Sequence, residues 1–77
     1  MEDLLITIAK GLVEDQDAVS VTVDEENEEG IVVYHLHVAE ADMGRVIGKQ
    51  GRIANAIRTV MRAVANRNGG KAQVEID

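Results

Sequence analysis

Apolar residues recur along this 77-residue chain with two alternating rhythms. Leu5, Ile8, Ala9 and Leu12 fall at helical spacing, flanked by Leu4 and Val13, which predicts an amphipathic helix over residues 2–13. Gly11 weakens that helix near its end. Asp15-Gln16-Asp17 reads as a turn. Val19, Val21 and Val23 then alternate with Ser20, Thr22 and Asp24, the signature of a half-buried strand. Residues 25–30 form an acidic loop, and Ile31 to Val38 make a second strand, so the pair closes an antiparallel hairpin. Asp42 is placed to N-cap a short helix running into Ile47. Helical spacing returns over residues 52–67, where Ile53, Ile57, Val60, Met61 and Val64 share one arc. Arg52, Asn55, Arg58, Thr59, Arg62 and Asn66 take the other side. Gly69-Gly70 ends this helix, and Ala72, Val74 and Ile76 alternate with Gln73 and Glu75 as a last strand.

The resulting order is α-β-β-α-α-β, an α+β pattern with no linker, repeat or low-complexity segment. A three-stranded sheet with the helices on one face buries each apolar stripe once. The last strand returns after a helical crossover, so it can pair parallel to a neighbour. One domain over residues 1–77 is expected. A chain of this size buries only about 60–65% of its unfolded surface, so its stability should be modest.

Composition narrows the classes of function. There is no cysteine, hence no disulfide or thiolate metal site, and Tyr34 is the single aromatic residue. The net charge of −6 argues against a general nucleic-acid coat, but the signs are segregated. Residues 1–42 hold twelve acids and one base, Lys10. Residues 43–72 hold seven bases and no acid. A polyanion would meet repulsion from one part of the chain and attraction from the other, which favours a small, oriented contact. No apolar run approaches a membrane span, and Met1-Glu2-Asp3 is acidic where a signal peptide would be basic. A cytoplasmic protein without membrane insertion is the expectation.

The basic segment centres on Val46-Ile47-Gly48-Lys49-Gln50-Gly51-Arg52-Ile53. A glycine turn that opens a helix aims backbone N–H groups at one point, which suits phosphate oxygens. A Walker loop is excluded. Gly44 and Gly48 enclose three residues where four are required, and Gln50 follows Lys49 where a hydroxyl should stand. The dinucleotide fingerprint G-x-G-x-x-G is absent. What remains is a G-x-x-G loop between two helices, the arrangement that clamps about four single-stranded nucleotides by their backbone. A plain helix–helix turn is the alternative reading.

The stretch from Val46 to Ile57 resembles the core of the KH domain family, from the apolar pair through the second helical isoleucine. The element order resembles the type II, bacterial KH topology, and the resemblance spans the whole chain. Length, the acidic first helix and Asp42-Met43-Gly44-Arg45 are similar to the small stand-alone bacterial members. The resemblance implies a mixed three-stranded sheet with helices packed on one face. It also implies a single-stranded RNA ligand lying in a groove between the helices, beside the loop and the sheet edge. It further implies RNA chaperoning or post-transcriptional control with effects on cell shape and division. Self-association, and pairing with a second, larger KH protein of the KhpB or Jag type, follow from it too.

Candidate RNA-binding residues are therefore Arg45, Val46, Ile47, Gly48, Lys49, Gln50, Gly51, Arg52 and Ile53, with Lys49 the leading phosphate contact. Arg45 and Arg52 flank the loop, although a solvated helix face also accounts for them. Arg58 and Arg62 either reach RNA or pair with acids of the N-terminal half. With one aromatic ring, stacking is weak, and affinity must come from shape, hydrogen bonds and charge. Ala54, Ile57, Met61 and Ala65 widen the apolar arc of the long helix. Either a dimer face or ordinary internal packing explains them. His35 and His37 share a strand face, but no third ligand is identifiable, so no metal or other cofactor is expected. Ser20 is the only serine, and no nucleophile–base–acid set can be assembled, which argues against an enzyme. A protein-interaction module with a vestigial nucleic-acid site is the competing function.

Overall fold

The computed structural model describes residues 1–77. Helix α1 spans Glu2–Leu12, β1 Ser20–Val23, β2 Ile31–His37, α2 Met43–Ile47, α3 Arg52–Arg67 and β3 Lys71–Ile76. Single 3₁₀ turns stand at Gln16–Ala18, Glu40–Asp42 and Lys49–Gly51. The order α-β-β-α-α-β is as the periodicity predicts, with ends shifted by a residue or so, and the 3₁₀ turns are additions. No helix is long and apolar enough to cross a membrane.

The sheet runs β1-β2-β3. β1 pairs antiparallel with β2, from Ser20 opposite His37 to Val23 opposite Tyr34. β2 pairs parallel with β3, with Tyr34 opposite Val74 and Leu36 opposite Ile76. The parallel pairing requires a crossover, which α2, the glycine turn and α3 supply. The sheet is thus mixed, and the core lies on one face of it. Leu5, Ala9 and Val13 from α1 meet Tyr34 and Leu36 of β2, Val46 of α2, Ile57, Met61 and Ala65 of α3, and Ala72 and Val74 of β3. Successive strand side chains point to opposite faces, so His35, His37, Gln73 and Glu75 lie on the face without helices.

Two expectations about packing need correction. The buried arc of α3 centres on Ala54, Ile57, Met61 and Ala65, while Val60 is 43% exposed. The candidate dimer face formed by those four residues is therefore the inner face of α3, closed within one chain. Alanines at 54 and 65 let the helix approach its neighbours closely, which rotates the arc away from Val60. Asp42, expected to cap α2, makes no side-chain capping bond to it. Its carboxylate instead accepts the backbone N–H groups of Glu14 at 3.2 Å and Asp15 at 3.1 Å. Asp42 itself has helical backbone angles, φ −97° and ψ −4°, rather than the extended ones from which a capping side chain reaches back to the helix N–H groups.

Candidate nucleic-acid interface

The loop between α2 and α3 is built from backbone conformations that most residues avoid. Gly48 has φ +76° and ψ 174°, a region essentially reserved for glycine. A Cβ there would lie 2.6 Å from Cγ1 of Ile53. Gly48 is thus required by the side chain that packs beneath it. Gly51 has φ +73°, yet a Cβ there would meet nothing within 4 Å. The two glycines thus differ, Gly48 giving room to Ile53 and Gly51 supplying a left-handed backbone beside open space. Between them Gln50 also adopts a left-handed conformation, φ +59° and ψ 25°. For a residue with a Cβ this costs about 1–2 kcal/mol. The turn is closed by the Gly51 N–H donating to the Gly48 carbonyl at 3.2 Å.

Charge around the loop is unevenly satisfied. Lys49 and Arg52 are exposed and lie within 4 Å of no carboxylate. Arg52 donates from Nη2 to Oε1 of Gln50 at 3.3 Å, bracing the strained residue. Arg45 differs. Its Nη2 lies 2.9 Å from Glu14 Oε1 and its Nε 3.4 Å from Asp42 Oδ1, which turns it toward the end of α1. Val46 is fully buried, Ile53 is half-buried, and Ile47 is 37% exposed. Ile47 is therefore the apolar surface available next to the turn.

Behind the turn, α3 and β3 enclose an open groove of about 690 Å³. Asn55, Arg58, Arg62 and Asn66 line its helix wall, and Lys71, Gln73 and Glu75 line its strand wall. Arg58 pairs with no acid. Its Nε donates to the Val74 carbonyl at 3.3 Å and its Nη1 to Asn55 Oδ1 at 3.4 Å. β3 is an edge strand, so this bond supplies a partner to one of its carbonyls. Asn55 and Asn66 are expected from the sequence only as part of a polar helix face, and Gln73 and Glu75 only as strand positions; none is among the candidate site residues. A signal existed for the helix wall, because Gly51, Asn55, Arg58, Arg62 and Asn66 succeed one another at spacings of three or four. The strand wall had none, since it comes from the crossover.

Each histidine lies beside a carboxylate, His35 Nε2 at 2.8 Å from Asp24 Oδ2 and His37 Nδ1 at 3.4 Å from Asp77 Oδ2. The hydrogen bond to Asp24 raises the pKa of His35 above its ordinary 6.5. No group of three metal-ligating side chains converges anywhere in the molecule.

The comparisons with known proteins agree with this arrangement. The family model described as KhpA/KhpB, KH domain, matches residues 2–76. A curated relative, the RNA-binding protein KhpA of Clostridium acetobutylicum, is 51% identical over 76 residues, covering 99% of each chain. The protein of the same name from Listeria monocytogenes is 47% identical, covering 99% of this chain and 97% of its own. That from Aquifex aeolicus is 43% identical, with 99% and 94% covered. Among solved structures, Aquifex aeolicus Era bound to GDP and aluminium fluoride superposes with a TM-score of 0.67 at 19% identity. The match covers 97% of this chain but 28% of Era, and at that identity it speaks to the fold alone. With sequence match and topology in accord from end to end, the chain belongs to the KhpA/KhpB family of KH domains.

Proposed function

We propose that this chain is a non-catalytic, single-stranded RNA-binding protein in which residues 1–77 act as one KH unit. The observation that carries this reading is the Gly48–Gly51 turn. It is strained, open on its outer side and flanked by bases that no acid neutralises. Phosphates settle against Lys49, Gln50 and the Gly51 backbone, with Arg52 alongside. Bases lie over Ile47 and along the α3–β3 groove. From Gly51 to Asn66 the helix is about 22 Å long, which suits the roughly four nucleotides that such a clamp holds. The relatives named RNA-binding protein KhpA support the choice of RNA. Discrimination against DNA would rest on contacts to the 2′-hydroxyl.

The deciding experiment is the double substitution Lys49→Asp with Gln50→Asp, titrated against a short single-stranded RNA. The expected result is a folded protein without measurable binding. Unchanged affinity at moderate salt would remove the loop from the site. In the wild type, log K should fall with log salt at a slope of about −0.7 for each phosphate neutralised.

In the cell this activity serves RNA chaperoning or post-transcriptional control, in the cytoplasm, with consequences for cell shape and division. A single weakly stacking domain gains avidity by doubling, as a homodimer or with a KhpB/Jag-type partner. Because Ala54, Ile57, Met61 and Ala65 are internal, an α3 contact would run through the exposed Val60 instead. Val60→Glu should then lower the molar mass in light scattering without disturbing RNA contacts at residues 44–53. Val60 also carries the competing reading, a protein-interaction module. That reading requires chemical-shift changes on α3 with a partner and silence at residues 44–53 with RNA.

A further inference from the structure

Asp42 is the one buried charged residue in the molecule, 3% exposed, and the clamp makes no direct use of it. Both carboxylate oxygens are engaged. Oδ1 accepts from the Glu14 N–H at 3.2 Å and faces Arg45 Nε at 3.4 Å, and Oδ2 accepts from the Asp15 N–H at 3.1 Å. Two segments far apart in sequence thus meet at one side chain: the stretch just after α1, and the Glu40–Asp42 turn with the first turn of α2 that continues it. The helix it holds is only five residues long and ends in the strained turn. A helix that short has no stability of its own. Val46 anchors it to the core on one side. The Asp42 cluster adds a polar tie from its start to the segment that follows α1. We infer that Asp42 is a positioning residue for the RNA clamp: it fixes α2 against the segment after α1, and so fixes where the Gly48–Gly51 turn stands relative to α3.

The inference rests on the loop being the RNA site, and charge offers a way to separate position from electrostatics. Asp42 and Glu14 are both acids in the same cluster, and removing either deletes one negative charge near a polyanion. On charge alone, both changes should tighten RNA binding. Glu14→Gln should do so by about twofold, because Glu14 is exposed and its loss also frees Arg45. Asp42→Asn keeps the shape but presents an amide N–H₂ to a donor. It should weaken binding by about tenfold, the scale expected when a supporting contact is lost. Its salt slope should stay that of the wild type, since Asp42 meets no phosphate.

Native-state hydrogen exchange on the wild-type protein supplies the second measurement and needs neither RNA nor a variant. The Glu14 and Asp15 amides should open together with those of residues 43–51, as one unit below the global unfolding free energy. In Asp42→Asn, protection should fall over residues 43–51 while the amides of β2 and α3 keep theirs. Two results would overturn the inference. One is an Asp42→Asn protein that binds RNA as tightly as Glu14→Gln. The other is exchange at Glu14 and Asp15 unrelated to that of α2, which decides the matter even if Asp42→Asn does not fold. A wild type that fails to bind RNA would defeat the clamp itself, and the exchange pattern alone would then decide whether Asp42 fixes α2.

Discussion

The glycine turn and the helix-free face of the sheet both carry basic side chains, and they treat them in opposite ways. On the sheet face each histidine has a carboxylate of its own, Asp24 for His35 and Asp77 for His37. At the turn, Lys49 and Arg52 have none, although the chain carries fourteen acids. Arg45 is the only lysine or arginine of the chain that meets an acid, so what distinguishes Lys49 and Arg52 is their place beside the glycine turn. Arg45 lies four residues before Lys49, yet it is drawn to Glu14 and Asp42. Proximity in sequence to the loop thus does not fix which bases are left without a carboxylate partner.

Several substitutions would break or sharpen this contrast. The largest effect on binding is expected from Lys49→Asp with Gln50→Asp, a loss of roughly a hundredfold or more in RNA affinity, since two phosphate partners become repulsive. Titration by fluorescence anisotropy measures it, and a thermal midpoint close to that of the wild type shows that the fold is intact. On the stability side, Gly48→Ala should cost about 3 kcal/mol, because its Cβ would overlap Ile53 in a conformation closed to alanine. Gly51→Ala should cost only about 1 kcal/mol, because strain is present without a clash. Urea denaturation of the two proteins would test that difference, and equal losses would refute it.

Arg58→Ala should weaken RNA binding by several-fold, on the order of 1 kcal/mol, through the groove wall and the lost Val74 bond. Arg45→Ala should change affinity less than Arg58→Ala. The reverse ranking would place Arg45 in the site. The smallest effect belongs to the sheet face. His35→Gln with His37→Gln should leave RNA affinity within about twofold, as expected for a site remote from the clamp. That face should instead report pH. The His35 pKa is raised in the folded protein, so the stability it contributes is fully present below the ordinary 6.5. It is lost as the pH climbs through the raised value. Asp24→Asn should bring the His35 titration, followed by NMR, back toward 6.5.

Much of the fold could be read from local pattern. Alternation at Val19, Val21 and Val23, the helical recurrence of Leu5, Ala9 and Leu12, and the paired glycines at 48 and 51 depend only on near neighbours. The segregation of bases into residues 43–72 likewise needs no structure to be seen. Errors arose where a residue answers to a distant one. Asp42 looked like a cap for the helix beside it, but its partners are Glu14 and Asp15, twenty-eight and twenty-seven residues away. Ala54 and Ala65 looked like a flank of α3 until tertiary packing turned the helix onto them.

The sequence by itself therefore determined the order of the elements, the G-x-x-G turn and the place of the positive charge. Periodicity, turn chemistry and charge are properties of short stretches of chain. Tertiary structure alone decided that Gly48 exists for Ile53, that Arg58 faces the edge of β3, and that Lys49 is left free while Arg45 is taken. Each of those outcomes is set by which segments the crossover and the end of α1 bring together, and no local period encodes contacts between residues that far apart.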